Sequence, residues 1–132
     1  MRIAAKWTLI LELVALGACD HKPTNTARCG TPLEEWQEPQ GLTPVANLVR
    51  LHKTDALTWN GQSVTDDTLA NYLRQASAMN PPPAVVLAMQ DGTACSRARQ
   101  IRSLMHAAPI CAASRRCTED SNWNDPGGLY IQ

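Results

Sequence analysis

Six consecutive apolar residues, Ala84 to Met89 (AVVLAM), constrain this chain more than any other stretch. They follow Asn80-Pro81-Pro82-Pro83, which stops a helix and stiffens the connection, and they precede the turn sequence Gln90-Asp91-Gly92-Thr93. An apolar run of strand length without alternation predicts a strand covered on both faces, and therefore the middle of a sheet. The rest of the domain has to supply a neighbour on each side and a layer on each face.

The segments around this strand supply those parts. In VANLVRLHK, Val49 and Leu51 alternate with Arg50 and His52, which predicts a strand. Thr54-Asp55 turns the chain, and ALTWN puts Leu57 and Trp59 on one face, so a hairpin is expected, with Trp59 in the core. Asn60-Gly61 is a tight-turn signal because both residues tolerate positive φ, and Val64 can then return to the apolar side. Thr65 with Asp66-Asp67 marks a helix start, through a capping hydroxyl and carboxylates at the positive end of the helix dipole. Leu69, Tyr72, Leu73, Ala76 and Met79 recur at helical spacing after it. After Met89, Thr93 is a candidate cap for a second helix whose stripe is Ala94, Ala98, Ile101, Met105 and Ala108, ended by Pro109. Ile110 to Arg116 reads as a short final strand. The expected class is α+β: a small sheet with two helices packed on one face, in the order β-β-α-β-α-β.

The start of the chain has a different texture. Arg2 and Lys6 precede a mostly apolar stretch from Trp7 to Ala18, as in a secretory leader, and the stretch is shorter than the roughly 20 residues that cross a bilayer. Leu16-Gly17-Ala18-Cys19 resembles a bacterial lipobox, which implies cleavage before Cys19, lipid on that cysteine and a place in the cell envelope. Glu12 departs from the pattern by setting a carboxylate inside the apolar segment. Asp20 resembles the signal that retains some lipoproteins in the inner membrane, so the expected site is the periplasmic side of that membrane. Residues 1–18 are thus expected as signal peptide and residues 19–44, with four prolines and two glycines, as a tether. Trp36 within it docks on the domain or on nothing, and Glu34-Glu35 is a surface charge pair. Residues 45–117 are expected as the domain and residues 118–132 as a polar tail, in which Leu129 to Gln132 would form at most a short edge strand. Removing the leader takes away Arg2, Lys6 and Glu12, leaving ten basic and eleven acidic residues, a balance that offers nothing to nucleic acid.

LTWNGQSVTDDTLANYL and AVVLAMQDGTACSRARQIRSLMHAA together resemble the periplasmic domain of the ExbD/TolR family of biopolymer-transport proteins. Asn60-Gly61, Val64, Leu69, Val85 to Leu87 and Asp91-Gly92 fall where that family has a strand ending in Asn-Gly, a helix, and an apolar strand closing on Asp. The resemblance covers residues 45 to 116. It implies a non-catalytic binding or scaffolding role, with peptidoglycan or an envelope protein as partner, and a homodimer. Relatives carry a membrane helix with a proton-path Asp, whereas this chain has a cleavable leader, so the proton-driven role does not carry over. Where relatives often have an aromatic-Gly step, this chain has Cys95-Ser96.

Five cysteines leave one over in an oxidising compartment, and lipid on Cys19 would account for it. Cys29, Cys95, Cys111 and Cys117 then form two disulfides. A helix over residues 95–108 is about 20 Å long, which separates Cys95 from Cys111 beyond the reach of a disulfide. A strand over residues 111–117 would run back about 20 Å and bring Cys117 to Cys95, leaving Cys29 with Cys111. The second possibility is a local Cys111–Cys117 loop with Cys29–Cys95.

Other chemistry is sparse. No CxxC or HxxxH motif accompanies His106 and the cysteines, so neither a metal nor another cofactor is expected. His52 and His106 read as surface or partly buried structural residues. No GxSxG, P-loop or activated cysteine points to catalysis, and Asp66-Asp67 is explained by capping. Arg97, Arg99, Arg102, Arg115 and Arg116 are candidates for an anion-binding face toward lipid headgroups, polymer carboxylates or an acidic partner, or else a solvated face. A small exported enzyme, or a redox protein using an exposed disulfide, is the competing class.

Overall fold

The computed structural model describes Cys29, Gly30, Trp36, residues 46–120 and Trp123. The leader, Cys19, Glu34-Glu35 and Leu129 to Gln132, together with what was expected of them, lie outside the described residues.

AVVLAM forms β4 (Ala84–Met89), with every residue buried. It lies in a five-stranded mixed sheet of order β3-β2-β1-β4-β5. β1 (Ala46–Leu51) pairs parallel with β4 on one side, and β5 (Cys117–Asp120) pairs parallel on the other. β2 (Leu57–Trp59) and β3 (Gln62–Val64) extend the sheet through antiparallel hairpins. Asn60 and Gly61 turn the second hairpin with φ of 47° and 85°. The Asn60 side chain also accepts from the Leu48 amide at 2.8 Å, tying the turn to β1.

Among the described residues three helices complete the fold: α1 (Asp66–Ser77), α2 (Cys95–His106) and α3 (Pro109–Ala112). Thr65 caps α1 by accepting from the Thr68 amide at 3.2 Å, with Asp66 and Asp67 in the first turn. Ala94, not Thr93, is the residue at the cap of α2; the buried Thr93 hydroxyl donates instead to the Gln90 carbonyl at 2.7 Å. Leu69, Leu73 and Ala76 from α1, Ala98, Ile101 and Met105 from α2, and Ile110 and Cys111 from α3 share one cluster with Val49, Leu51, Leu57, Val85, Leu87 and Met89 of the sheet. Each fully buried Leu, Ile or Val here contributes roughly 1.5–3 kcal/mol relative to an exposed position. Trp59 is half-buried at the margin of this cluster, 5.5 Å from the Tyr72 ring. The opposite sheet face buries Ala46, Leu48, Ala84, Val86 and Ala88, with Trp123 packed against them.

The class is α+β as expected, but the order is β-β-β-α-β-α-α-β. Gln62–Val64 forms a separate strand because the Asn60-Gly61 turn folds the chain back onto β2, pairing Val64 with Leu57. Ile110 to Arg116 is not a strand. Pro109 occupies the first turn of α3, where its missing N–H costs nothing, and Ile110 and Cys111 turn inward. The Ser77 hydroxyl accepts from the Ile110 amide at 3.0 Å, joining α3 to the end of α1. The last strand begins later, at Cys117, and takes in three residues assigned above to the tail. Met79 lies past the end of α1 and is exposed.

Candidate anchoring and binding site

The proline-rich segment is held on the domain at every residue described in it. Cys29 is disulfide-bonded to Cys95 with 5.0 Å between Cα atoms, and Cys111 is bonded to Cys117 at 4.8 Å. Cys95–Cys117 with Cys29–Cys111 is therefore not the pairing. It required a returning strand over residues 111–117; α3 and the turn after it, with the Arg116 amide donating to the Ile110 carbonyl at 2.9 Å, bring Cys117 back beside Cys111 instead.

α2 carries Cys95 in its first turn and Arg102 seven residues later on the same side. Helical side chains lean toward the N-terminus, so Arg102 reaches back toward the disulfide. Its Nη1 donates to the Cys29 carbonyl and its Nη2 to the Gly30 carbonyl, each at 3.0 Å. The same guanidinium grips Glu119 through Nε to Oε2 at 2.8 Å and Nη2 to Oε1 at 2.7 Å. Glu119 leaves β5 on the same face as Cys117 and its side chain is 0% exposed, against 7% for Arg102. Trp36 is buried in the same core, and its Nε1 has no hydrogen-bond partner. One disulfide, one shared guanidinium and one indole thus bind Cys29, Gly30 and Trp36 to α2, β5 and the core. Glu119 was missed in the sequence; its only signal was alternation with Cys117.

The five expected arginines do not form one free face. Arg102 is committed to the clamp. Arg97 donates from Nη1 and Nη2 to the two Asp66 oxygens, both at 2.7 Å, and to the Asp55 carbonyl. Arg116 donates to the Pro82 carbonyl at 3.1 Å. Arg99 and Arg115 are exposed, and Arg115 sits in a turn with φ of 50°. A guanidinium bound to the protein's own carboxylate is not available to an anionic partner.

The Arg97 hydrogen bonds hold the Asp66 carboxyl below its ordinary value of 3.8, against an opposing effect of burial, and Asp66 in turn raises Arg97. A depressed carboxyl pKa makes the unfolded chain the better proton acceptor between the two values. The stability from this pair is therefore complete above about pH 4 and lost as pH falls through the folded-state value. Asp66→Asn is expected to flatten that part of the acid limb in urea titrations from pH 6 to pH 2; an unchanged limb would remove Asp66 as its source.

A groove of about 440 Å³ opens between the helices, with Ala70, Arg74, Ser77, Leu104, Ala107 and Pro109 among its lining residues. The Ser77 hydroxyl already donates to the Leu73 carbonyl and accepts from Ile110, and Arg74 donates to Asn71. These groups do not form a nucleophile with a base. Among the described residues no three His, Cys, Asp or Glu side chains gather as metal ligands, and no helix is long and apolar enough to cross a membrane. His52 and His106 are half-buried. No protein-family model matches the chain, and no curated protein sequence matches it.

Proposed function

We propose that the chain is an exported, lipid-anchored protein of the bacterial envelope, whose small non-catalytic domain is held close to the inner membrane as a binding or scaffolding module. The clamp on Cys29 is the observation that carries this reading. It lies ten residues after Cys19, the cysteine of the lipobox-like sequence, and ten extended residues span at most about 36 Å. A lipid on Cys19 would thus be joined to the domain core by a short leash ending in a covalent bond, in place of the long tether over residues 19–44. The likeness of residues 45–116 to the ExbD/TolR periplasmic module favours peptidoglycan, an envelope protein or a second copy as partner. Two disulfides suit an oxidising compartment.

The deciding measurement is the mass of the protein recovered from a bacterial membrane fraction, before and after reduction. A chain beginning at Cys19 with added acyl mass, gaining four hydrogens from its two disulfides, is expected. A chain beginning at Met1 with five free thiols would overturn the proposal.

A second reading, thiol–disulfide exchange, rests on Cys95. It is half-buried in the first turn of α2, where the helix N-terminus favours a thiolate, whereas Cys111 and Cys117 are fully buried. Rapid alkylation of one thiol in the reduced protein at mildly acidic pH would support exchange chemistry; uniformly slow alkylation would remove it.

A further inference from the structure

We propose that Arg50 and His52 form a carboxylate-binding site on the sheet face opposite the helices, occupied in this structure by the indole of Trp123. Arg50 is next to last in β1 and His52 directly follows the strand, so their side chains leave the same face about 6.6 Å apart along the chain. In register with Arg50 stand Thr58 on β2 and Ala88 on β4, and Ala88 in turn pairs with Asp120 on β5. The small Ala88 side chain leaves room above the sheet, and Trp123 packs against the apolar patch to which Ala88 belongs. The Arg50 guanidinium lies 5.5 Å from the centroid of a Trp123 ring, and the His52 ring meets the indole edge-on at 4.9 Å.

The hydrogen-bonding state of Arg50 sets it apart from Arg97 and Arg102. Arg97 and Arg102 each hold a carboxylate in both arms, whereas Arg50 forms no ion pair among the described residues. Its Nε and the Nε2 of His52 are both buried without a hydrogen-bond partner. Buried nitrogens of this kind are ordinarily satisfied, and here the π-face and edge of one indole stand where an acceptor would be. A planar carboxylate matches the fork of Arg50, and it offers a second oxygen to His52. Arg50 on Trp123 gains only a cation–π contact, which a charge-assisted hydrogen bond exceeds. A carboxylate ligand therefore competes with Trp123 for the same two side chains.

The test uses the full chain and NMR titration of backbone amides with sodium acetate, at ionic strength held constant with sodium chloride. Trp123→Leu, which keeps apolar cover but removes the indole, is expected to lower the acetate concentration at half-saturation at least tenfold, read at Arg50, His52 and Ala88. Adding Arg50→Gln to that variant is expected to restore or exceed the wild-type value, while Arg99→Gln on the exposed side of α2 leaves it unchanged. Trp123→Ala serves as the second variant should the leucine disturb the fold. Overturning results are acetate binding no tighter in either Trp123 variant, binding insensitive to Arg50→Gln, the same shifts with chloride alone, or tighter binding of inorganic phosphate than of acetate.

Discussion

Arg102→Ala is expected to lower the folding free energy by about 3–5 kcal/mol, because it takes from the fully buried Glu119 carboxylate the guanidinium that grips both of its oxygens. For a domain of this size that is a large share of the roughly 5–15 kcal/mol available. The urea midpoint should fall by a correspondingly large step with an unchanged slope. Replacing both partners by apolar residues of similar volume, Arg102→Met with Glu119→Leu, should cost much less than the single change. The pair contributes little net energy over a well-packed apolar contact, and the damage in the single variant comes from a buried carboxylate that has lost its bidentate guanidinium. What the double variant still loses are the two bonds from Arg102 to the Cys29 and Gly30 carbonyls. A single variant with a wild-type midpoint would mean that Glu119 finds another donor or reaches water, and the clamp would have to be redrawn.

Removing the Cys29–Cys95 bond by Cys→Ser at both positions is the second large effect. Its cysteines are 66 residues apart, against 6 for Cys111–Cys117. On the loop-entropy account the longer cross-link constrains the unfolded chain by about 4 kcal/mol and the shorter by about 2 kcal/mol. Paired urea titrations of the two double-serine variants should rank them in that order. The reverse ranking would show that the short bridge, buried among α3 and β5, acts through the native core more than through the unfolded chain. The Cys29–Cys95 and Arg102 changes should not add, since both release residues 29–30 and share that loss. If the two sets of changes proved additive, Arg102 and the disulfide would not be parts of one clamp.

Local features of the sequence carried the elements that rest on local physics. Thr65 and Asp66-Asp67 begin α1 where a capping hydroxyl and a helix dipole require them. Asn60-Gly61 turns because its two residues accept positive φ. Six apolar residues in a row are buried on both faces because only the middle of a sheet can shelter them. Where the reading failed, the local signals were ambiguous. ICAASRR after a proline suits a short strand or a single helical turn equally, and the choice went to the helix when Ser77 and the core took up Ile110. That one turn also decided the disulfides. It placed Cys111 against Cys117 and left Cys95 to Cys29.

The candidate sites were less legible than the fold. Arg97 and Arg102 look alike in CSRARQIRSLMH, yet one reaches Asp66 across the gap to α1 and the other is buried on Glu119. Spacing of five puts them on different sides of one helix but does not name what stands there. Arg50 and His52 show only as the polar half of a strand, and nothing local announces that Trp123, more than seventy positions on, covers them.

By itself, then, the sequence determined the class of fold, the central strand, the cap of α1 and the Asn60-Gly61 turn, because each depends on interactions between residues a few positions apart. Tertiary structure decided which cysteines pair, which arginines are spent on the protein's own carboxylates, and that Cys29 is fastened to the domain. Those outcomes depend on contacts between segments up to 73 residues apart, as between Arg102 and Cys29. Their partners are selected by packing of the whole core, and packing leaves no local pattern to read.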